Sequence, residues 1–147
     1  MQMSRRQVHI DDSKWPLVRM HFPTDEWPDD EFERYLKYLE DNLNRAERAG
    51  VKTALLFNAS GSPNADAQRR KWQADWMKKH NEQSARMTAG YAFVIDSTVV
   101  RGLLTAILWL APMPAPHTVV RTEEEAESWL RARLAEANDG SLSVDAR

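Results

Sequence analysis

Short apolar runs alternate with helical patterns along the chain, and this alternation limits the fold more than any other feature of the sequence. Residues 52–57 and 90–95 hold few polar side chains, as is typical of strands buried on both faces of a sheet. A helical pattern follows each run, over residues 66–83 and 98–110. Such alternation needs right-handed crossovers and a partly parallel sheet covered by helices. The sequence therefore predicts an α/β fold with a mixed, mostly parallel sheet of about five strands and about four helices.

The N-terminal part predicts a hairpin and a long helix. Residues 7–10 and 16–22 have extended patterns, and the polar segment 11–14 between them predicts a turn. From Asp29 onward the apolar residues fall on one helical stripe, and Gly50 ends it. We expect a β-hairpin followed by an amphipathic helix.

The C-terminal part predicts a last strand and a last helix. Residues 117–120 form a short extended run, and Thr122 opens a capping box whose helix reaches about residue 137. A chain of 147 residues has the size of one ordinary domain. We expect one domain over residues 1–137 and a mobile tail over residues 138–147.

The composition excludes several classes of protein. Hydrophobic residues make up 42% and charged residues 29%, which is typical of a packed soluble domain and not of a disordered chain. The 20 basic and 22 acidic residues are interspersed, which argues against nucleic-acid binding. The absence of cysteine excludes disulfides and thiolate metal sites. Because the chain shows neither a signal-peptide pattern nor an apolar stretch long enough for an integral membrane segment, we expect a cytoplasmic protein.

Three local patterns resemble a known family. They are residues 55–62 (Leu-Leu-Phe-Asn-Ala-Ser-Gly-Ser), residues 92–97 (Ala-Phe-Val-Ile-Asp-Ser) and residues 122–130 (Thr-Glu-Glu-Glu-Ala-Glu-Ser-Trp-Leu). With these patterns and the order of its elements, the chain resembles, over residues 7 to 135, the STAS-like domains, which include the bacterial anti-sigma-factor antagonists and related Sec14-like folds. The resemblance implies a non-catalytic role in protein–protein signalling. We expect no cofactor.

The loop after the first central strand is the main candidate for a partner or ligand site. In the antagonists this loop carries an Asp-Ser-Ser-Gly motif whose serine is phosphorylated by a partner kinase. Here it contains Asn58, Ser60, Gly61 and Ser62, without the aspartate. Ligands and partners usually dock where strands of an α/β sheet end, although a plain connecting turn is the simpler interpretation.

A second polar cluster follows the next strand. Asp96 and Ser97 precede the apolar helix, and Arg101 comes one helical turn later. These groups are placed to meet an anionic ligand at the start of a helix. The simpler interpretation is a helix cap with a local salt bridge.

Two helices offer candidate interfaces. Trp72 and Trp76 lie one turn apart on an otherwise polar helix, so they either pack against the sheet or form an exposed anchor for a partner. The helix over residues 98–110 is apolar nearly all round, and Gly102 beside Leu103 permits close approach. Homodimerisation through this helix is a hypothesis that its apolarity supports.

Two other functions remain as alternatives. The many Trp, Met and Leu side chains suit a carrier or sensor of a small apolar ligand or lipid. Ser60, His117 and Asp96 would be the residues of a serine-hydrolase triad, although the chain has no nucleophile-elbow motif. The four histidines show no ligand spacing typical of a metal site, and no nucleotide-binding motif is present.

Overall fold

The fold is an α/β arrangement of five strands and five α-helices in the described part of the chain. A computed structural model describes residues 7–23, 27–60, 67–110 and 112–139. In chain order the elements are β1 His9–Lys14, β2 Leu17–His21, α1 Asp29–Ala49, β3 Thr53–Asn58, α2 Ala67–Lys79, α3 Asn81–Met87, β4 Thr88–Val94, α4 Thr98–Leu110, β5 His117–Val120 and α5 Glu123–Leu134. A π-helical turn, Ala135–Asp139, follows α5. The predicted fold class is confirmed.

The strands form one sheet in which their order in space is their order in the chain. β1 pairs antiparallel with β2, and β2, β3, β4 and β5 pair in parallel. Every parallel crossover therefore steps to the next position in the same direction. With right-handed connections, the crossover helices α1 to α4 lie on one face of the sheet. The carboxyl ends of β2 to β5 meet at one edge, which we call the carboxyl edge.

Helix α1 covers the first face of the sheet. Acidic residues at its start favour the positive end of the helix dipole, and Gly50 ends it in the left-handed conformation at φ 67°. The apolar stripe of α1 packs with side chains of the sheet in one core cluster: Val8, Val18, Met20, Phe32, Tyr35, Leu39, Leu55, Phe57 and Tyr91. The predicted amphipathic helix is thus observed with its predicted bounds.

Helix α5 covers the second face of the sheet, over β3 to β5. The hydroxyl of Thr122 accepts a hydrogen bond from the N–H of Glu125 at 3.3 Å, as the predicted capping box requires. Ala126 and Leu130 are fully buried in a second core cluster with Leu17, Ala54, Leu56, Ala92 and Val94. The molecule therefore has three layers, with helices on both faces of the sheet.

Two predicted elements differ from the structure. The segment 11–14 is not a turn, because it belongs to β1 and the reversal occurs at Trp15 and Pro16. The Asp11 carboxylate accepts bonds from the N–H and hydroxyl of Ser13, so its turn-like chemistry is satisfied within an irregular edge strand. The single helix predicted over residues 66–83 is two helices, α2 and α3, separated at His80.

The first residue of the predicted tail is attached to the sheet. The side-chain amide of Asn138 accepts from the N–H of Lys52 at 3.0 Å and donates to its carbonyl at 3.1 Å. Such a two-bond contact fixes Asn138 beside the start of β3, so the packed domain includes this residue. Residues from 140 onward lie outside the described part. Among the described helices, none has the length and apolarity needed to span a bilayer.

Candidate functional site

The structure joins the two predicted polar clusters at the carboxyl edge. The carbonyl of Val94, at the end of β4, accepts the N–H of Ala59 at 3.1 Å and the hydroxyl of Ser60 at 3.4 Å. The Asn58 side chain accepts the N–H of Ser60 at 3.0 Å, which orders the start of the loop. Because Asp96 follows Val94 by two residues, the Ser60 loop and the Asp96 segment lie beside each other. Gly61 and Ser62 lie outside the described residues.

Asp96, Ser97 and Arg101 lie at the start of α4. Asp96 is exposed and Ser97 is half-buried, and the carbonyl of Ser97 accepts the N–H of Arg101 at 3.0 Å as the helix begins. The guanidinium of Arg101 is half-buried and donates to the Thr98 hydroxyl at 3.4 Å. The local salt bridge that the sequence suggested is not among the ion pairs of the described residues. A partly desolvated cation therefore lies one turn from the edge.

A histidine and a glutamate at this edge were not identified from the sequence. Nε2 of His21, the last residue of β2, lies 3.0 Å from Oε1 of Glu123, the first residue of α5. His21 is the register partner of Asn58, so this pair adjoins the Ser60 loop. The two residues are 102 positions apart in the chain, and the packing of α5 across the sheet brings them together. No local motif could have indicated the contact.

Glu127 holds the next turn of α5 to β2. Its carboxylate contacts Arg19 at 2.5 Å and Arg131 at 2.6 Å. The hydrogen bond from Arg131, with that from Arg19, lowers the pKa of Glu127 below its ordinary value of 4.5 against the opposing effect of burial. These ion pairs connect α5, which covers β3 to β5, to β2 in the half of the sheet that α5 does not cover.

Glu127→Gln is expected to lower the free energy of unfolding at pH 7 by about 0.5–1 kcal/mol. Because the folded pKa is lowered, the contribution is full above the ordinary pKa and is lost as the pH falls through the folded value. Urea unfolding of the variant and the parent should therefore differ at pH 7, and the difference should be smaller at a pH below the ordinary pKa of Glu127. Glu124→Gln, on an exposed residue of the same helix, is the control. An equal difference at both pH values would contradict the prediction.

Trp72 and Trp76 pack toward the interior. Both are partly buried against the first core cluster. The Trp72 ring lies 6.0 Å from that of Phe32, and the Trp76 ring stacks on His80 at 4.2 Å. The core-packing interpretation of these rings therefore applies, and they do not form an exposed anchor.

The apolar helix α4 has an open side. Val99 is 72% exposed, and a Cβ atom added at Gly102 would meet no atom within 4 Å. None of the α4 side chains that the structure describes belongs to either core cluster. The backbone of Leu103 lies in the same helix, and its side chain is outside the description.

The triad of Ser60, His117 and Asp96 is not assembled. His117 pairs in register with Tyr91, three residues before the end of β4. At about 3.3 Å per residue this places His117 about 10 Å back from the carboxyl edge. The order of the elements had brought the three residues to one sheet, but the register separates the histidine from the other two.

The fold and the edge together define a class of protein: a three-layer α/β domain with hydrogen-bonding loops gathered where its parallel strands end. In the described residues, no group of three His, Asp or Glu side chains is placed to hold a metal ion. Compared with known proteins, the chain matches no family model, and none of the curated proteins matches it.

Proposed function

We propose that the chain is a non-catalytic, STAS-like regulatory module of the cytoplasm that binds a protein partner at the carboxyl edge. The observation that carries this proposal is the position of Ser60. Its hydroxyl lies where β3 and β4 end and makes a long bond of 3.4 Å to the Val94 carbonyl. Asp96, exposed beside it, and the half-buried Arg101 supply charge of both signs. Such a surface suits recognition of a polar partner.

Ser60 is the proposed regulatory position. A phosphate there would replace the weak hydroxyl bond with roughly −2 charge. The Asp96 carboxylate nearby would oppose that charge, and the Arg101 guanidinium would attract it. Rearrangement of the loop between these two groups would change the surface that the partner meets.

The test is capture of the tagged chain from a lysate of its source organism, with mass spectrometry of both proteins and small molecules. A protein retained in stoichiometric amount by the parent and by Ser60→Ala, and reduced at least about tenfold by Ser60→Asp, supports the proposal. Ser13→Asp adds the same charge at an exposed position of β1 near the opposite edge and should retain the partner.

Two outcomes would overturn the proposal. Retention of a lipid or metabolite without any protein would favour the carrier hypothesis. Equal loss of the partner in Ser60→Asp and Ser13→Asp would show a general effect of charge and remove Ser60 from the interface.

A further inference from the structure

We propose that two copies of the chain associate through the free edge of β5 and the open side of α4, so that their sheets become one continuous sheet. The inference does not rest on the partner proposed above. It follows from two features on the same side of the molecule that one occupant would cover.

The two edges of the sheet differ in how well they are protected against pairing with another strand. β1 carries Asp11, Asp12 and Lys14, and its register with β2 is interrupted between Asp11 and Lys14. Charges and irregular pairing of this kind prevent the addition of another strand. β5 reads His-Thr-Val-Val and pairs with β4 without interruption. In the described residues, β5 has β4 as its one neighbour in the sheet.

The backbone groups of β5 that point away from β4 can pair with the same groups of a second copy. The carbonyls of Pro116 and Val120 accept bonds from the N–H groups of Tyr91 and Ile95 at 2.9 and 3.0 Å. Successive residues of a strand direct their N–H and C=O groups to opposite sides. The N–H and C=O groups of His117 and Val119 therefore point away from β4. An antiparallel copy related by a twofold axis at Thr118 would pair His117 of each chain with Val119 of the other. The same groups then serve both copies, as an isologous interface requires.

Helix α4 adds an exposed stripe of small and apolar residues. It leads from β4 to β5, so a right-handed connection places it beside β5 on the face that carries α1 and α2. Its described exposed residues are Thr98, Val99, Gly102 and Thr105. At 3.6 residues per turn they form one stripe without charged residues of its own, and the half-buried Arg101 borders it and donates to the Thr98 hydroxyl. Across the twofold axis this stripe would meet its own copy, with close approach at Gly102.

The size of this surface determines the expected affinity. The contact surface is about 20 Å long, the length of a helix of 13 residues. It is about 20 Å high, the combined thickness of one helix layer and the sheet. The contact then covers on the order of 500 Å² per copy, below the ~800 Å² of a standard interface. An interface of this size is typical of weak association, so we expect a dimer that dissociates on dilution.

Sedimentation velocity over about 1 to about 300 µM tests the dimer. The parent should shift from monomer to dimer across this range. Gly102→Glu places a charge in open space, and Val119→Pro removes an N–H that β4 does not use, so both variants should fold and remain monomeric. Gln68→Glu, on an exposed position of α2, should dimerise like the parent. Thermal unfolding at about 1 µM verifies that each variant is folded.

Three results would overturn the proposal. The first is a parent that stays monomeric at every concentration. The second is a dimer that persists unchanged in both folded variants. The third is a different protein that binds the Gly102 face while the chain itself remains monomeric, which would assign this side to another occupant.

Discussion

Gly90→Ala is expected to lower the free energy of unfolding by about 1–3 kcal/mol, measured by urea denaturation. Gly90 lies in β4, and a Cβ atom added there would be 2.9 Å from Cζ3 of Trp129 and 3.2 Å from Cγ of Arg133. These distances are shorter than van der Waals contact, so the indole of α5 must move away from the strand. The Arg133 guanidinium lies over the same indole at 5.2 Å and would lose this contact as the ring moves.

A double-mutant cycle isolates this steric cause. In a Trp129→Ala background the closest contact is removed and the contact with Cγ of Arg133 at 3.2 Å remains, so Gly90→Ala should cost much less than in the parent. Gly102→Ala is the matched control, because the same methyl group added at Gly102 meets no atom within 4 Å. In a helix that change should raise stability by up to about 1 kcal/mol. An equal cost of Gly90→Ala with and without Trp129 would contradict the explanation.

Local signals were sufficient to predict several elements. The acidic residues from Asp29 and the left-handed cap at Gly50 bound α1 where the sequence placed it. The bounds of α4 and β5 also match, because Asp96 and Ser97 interrupt the pattern before α4 and a proline-rich segment separates the two elements. Each of these signals comes from a few neighbouring residues, so the bounds of these elements can be predicted from the sequence alone.

Elements decided by distant contacts were predicted less well. The segment 11–14 has the composition of a turn, yet pairing with β2 holds it in a strand. The break between α2 and α3 occurs at His80, whose Nε2 lies 3.9 Å from Oε2 of Glu40 on α1, and α3 is paired to α1 by Arg86 and Glu47 at 2.7 Å. Neither outcome is visible in propensity alone, since tertiary context overrides it.

The candidate site also has a part that could be predicted from the sequence and a part that depends on distant contacts. Asn58, Ser60, Asp96 and Ser97 follow consecutive parallel strands, so their common edge could be predicted from the order of the elements. The contact of His21 with Glu123 depends on how α5 packs across the sheet, which no short motif encodes. A register of four residues also decides that His117 is distant from that edge.

Asn42→Ala is expected to lower the free energy of unfolding by about 2–4 kcal/mol. Asn42 is 3% exposed on α1, and its Oδ1 accepts from Nε1 of Trp15 at 2.9 Å. Its Nδ2 lies 3.3 Å from the hydroxyl of Thr53, which in turn lies 3.5 Å from the Met87 carbonyl. Alanine would leave the indole N–H without its acceptor and would open a cavity between α1 and the sheet.

Asn44→Ala is the matched control for this change, because it removes the same amide from an exposed position two residues along the helix. It should alter stability by less than about 0.5 kcal/mol. Combining Asn42→Ala with Trp15→Phe, which removes the indole donor, should cost less than the sum of the two single changes by about 0.5–1.5 kcal/mol. Strict additivity would mean that the Trp15–Asn42 bond contributes nothing, and that the cost of Asn42→Ala comes from the cavity and the lost contact with Thr53.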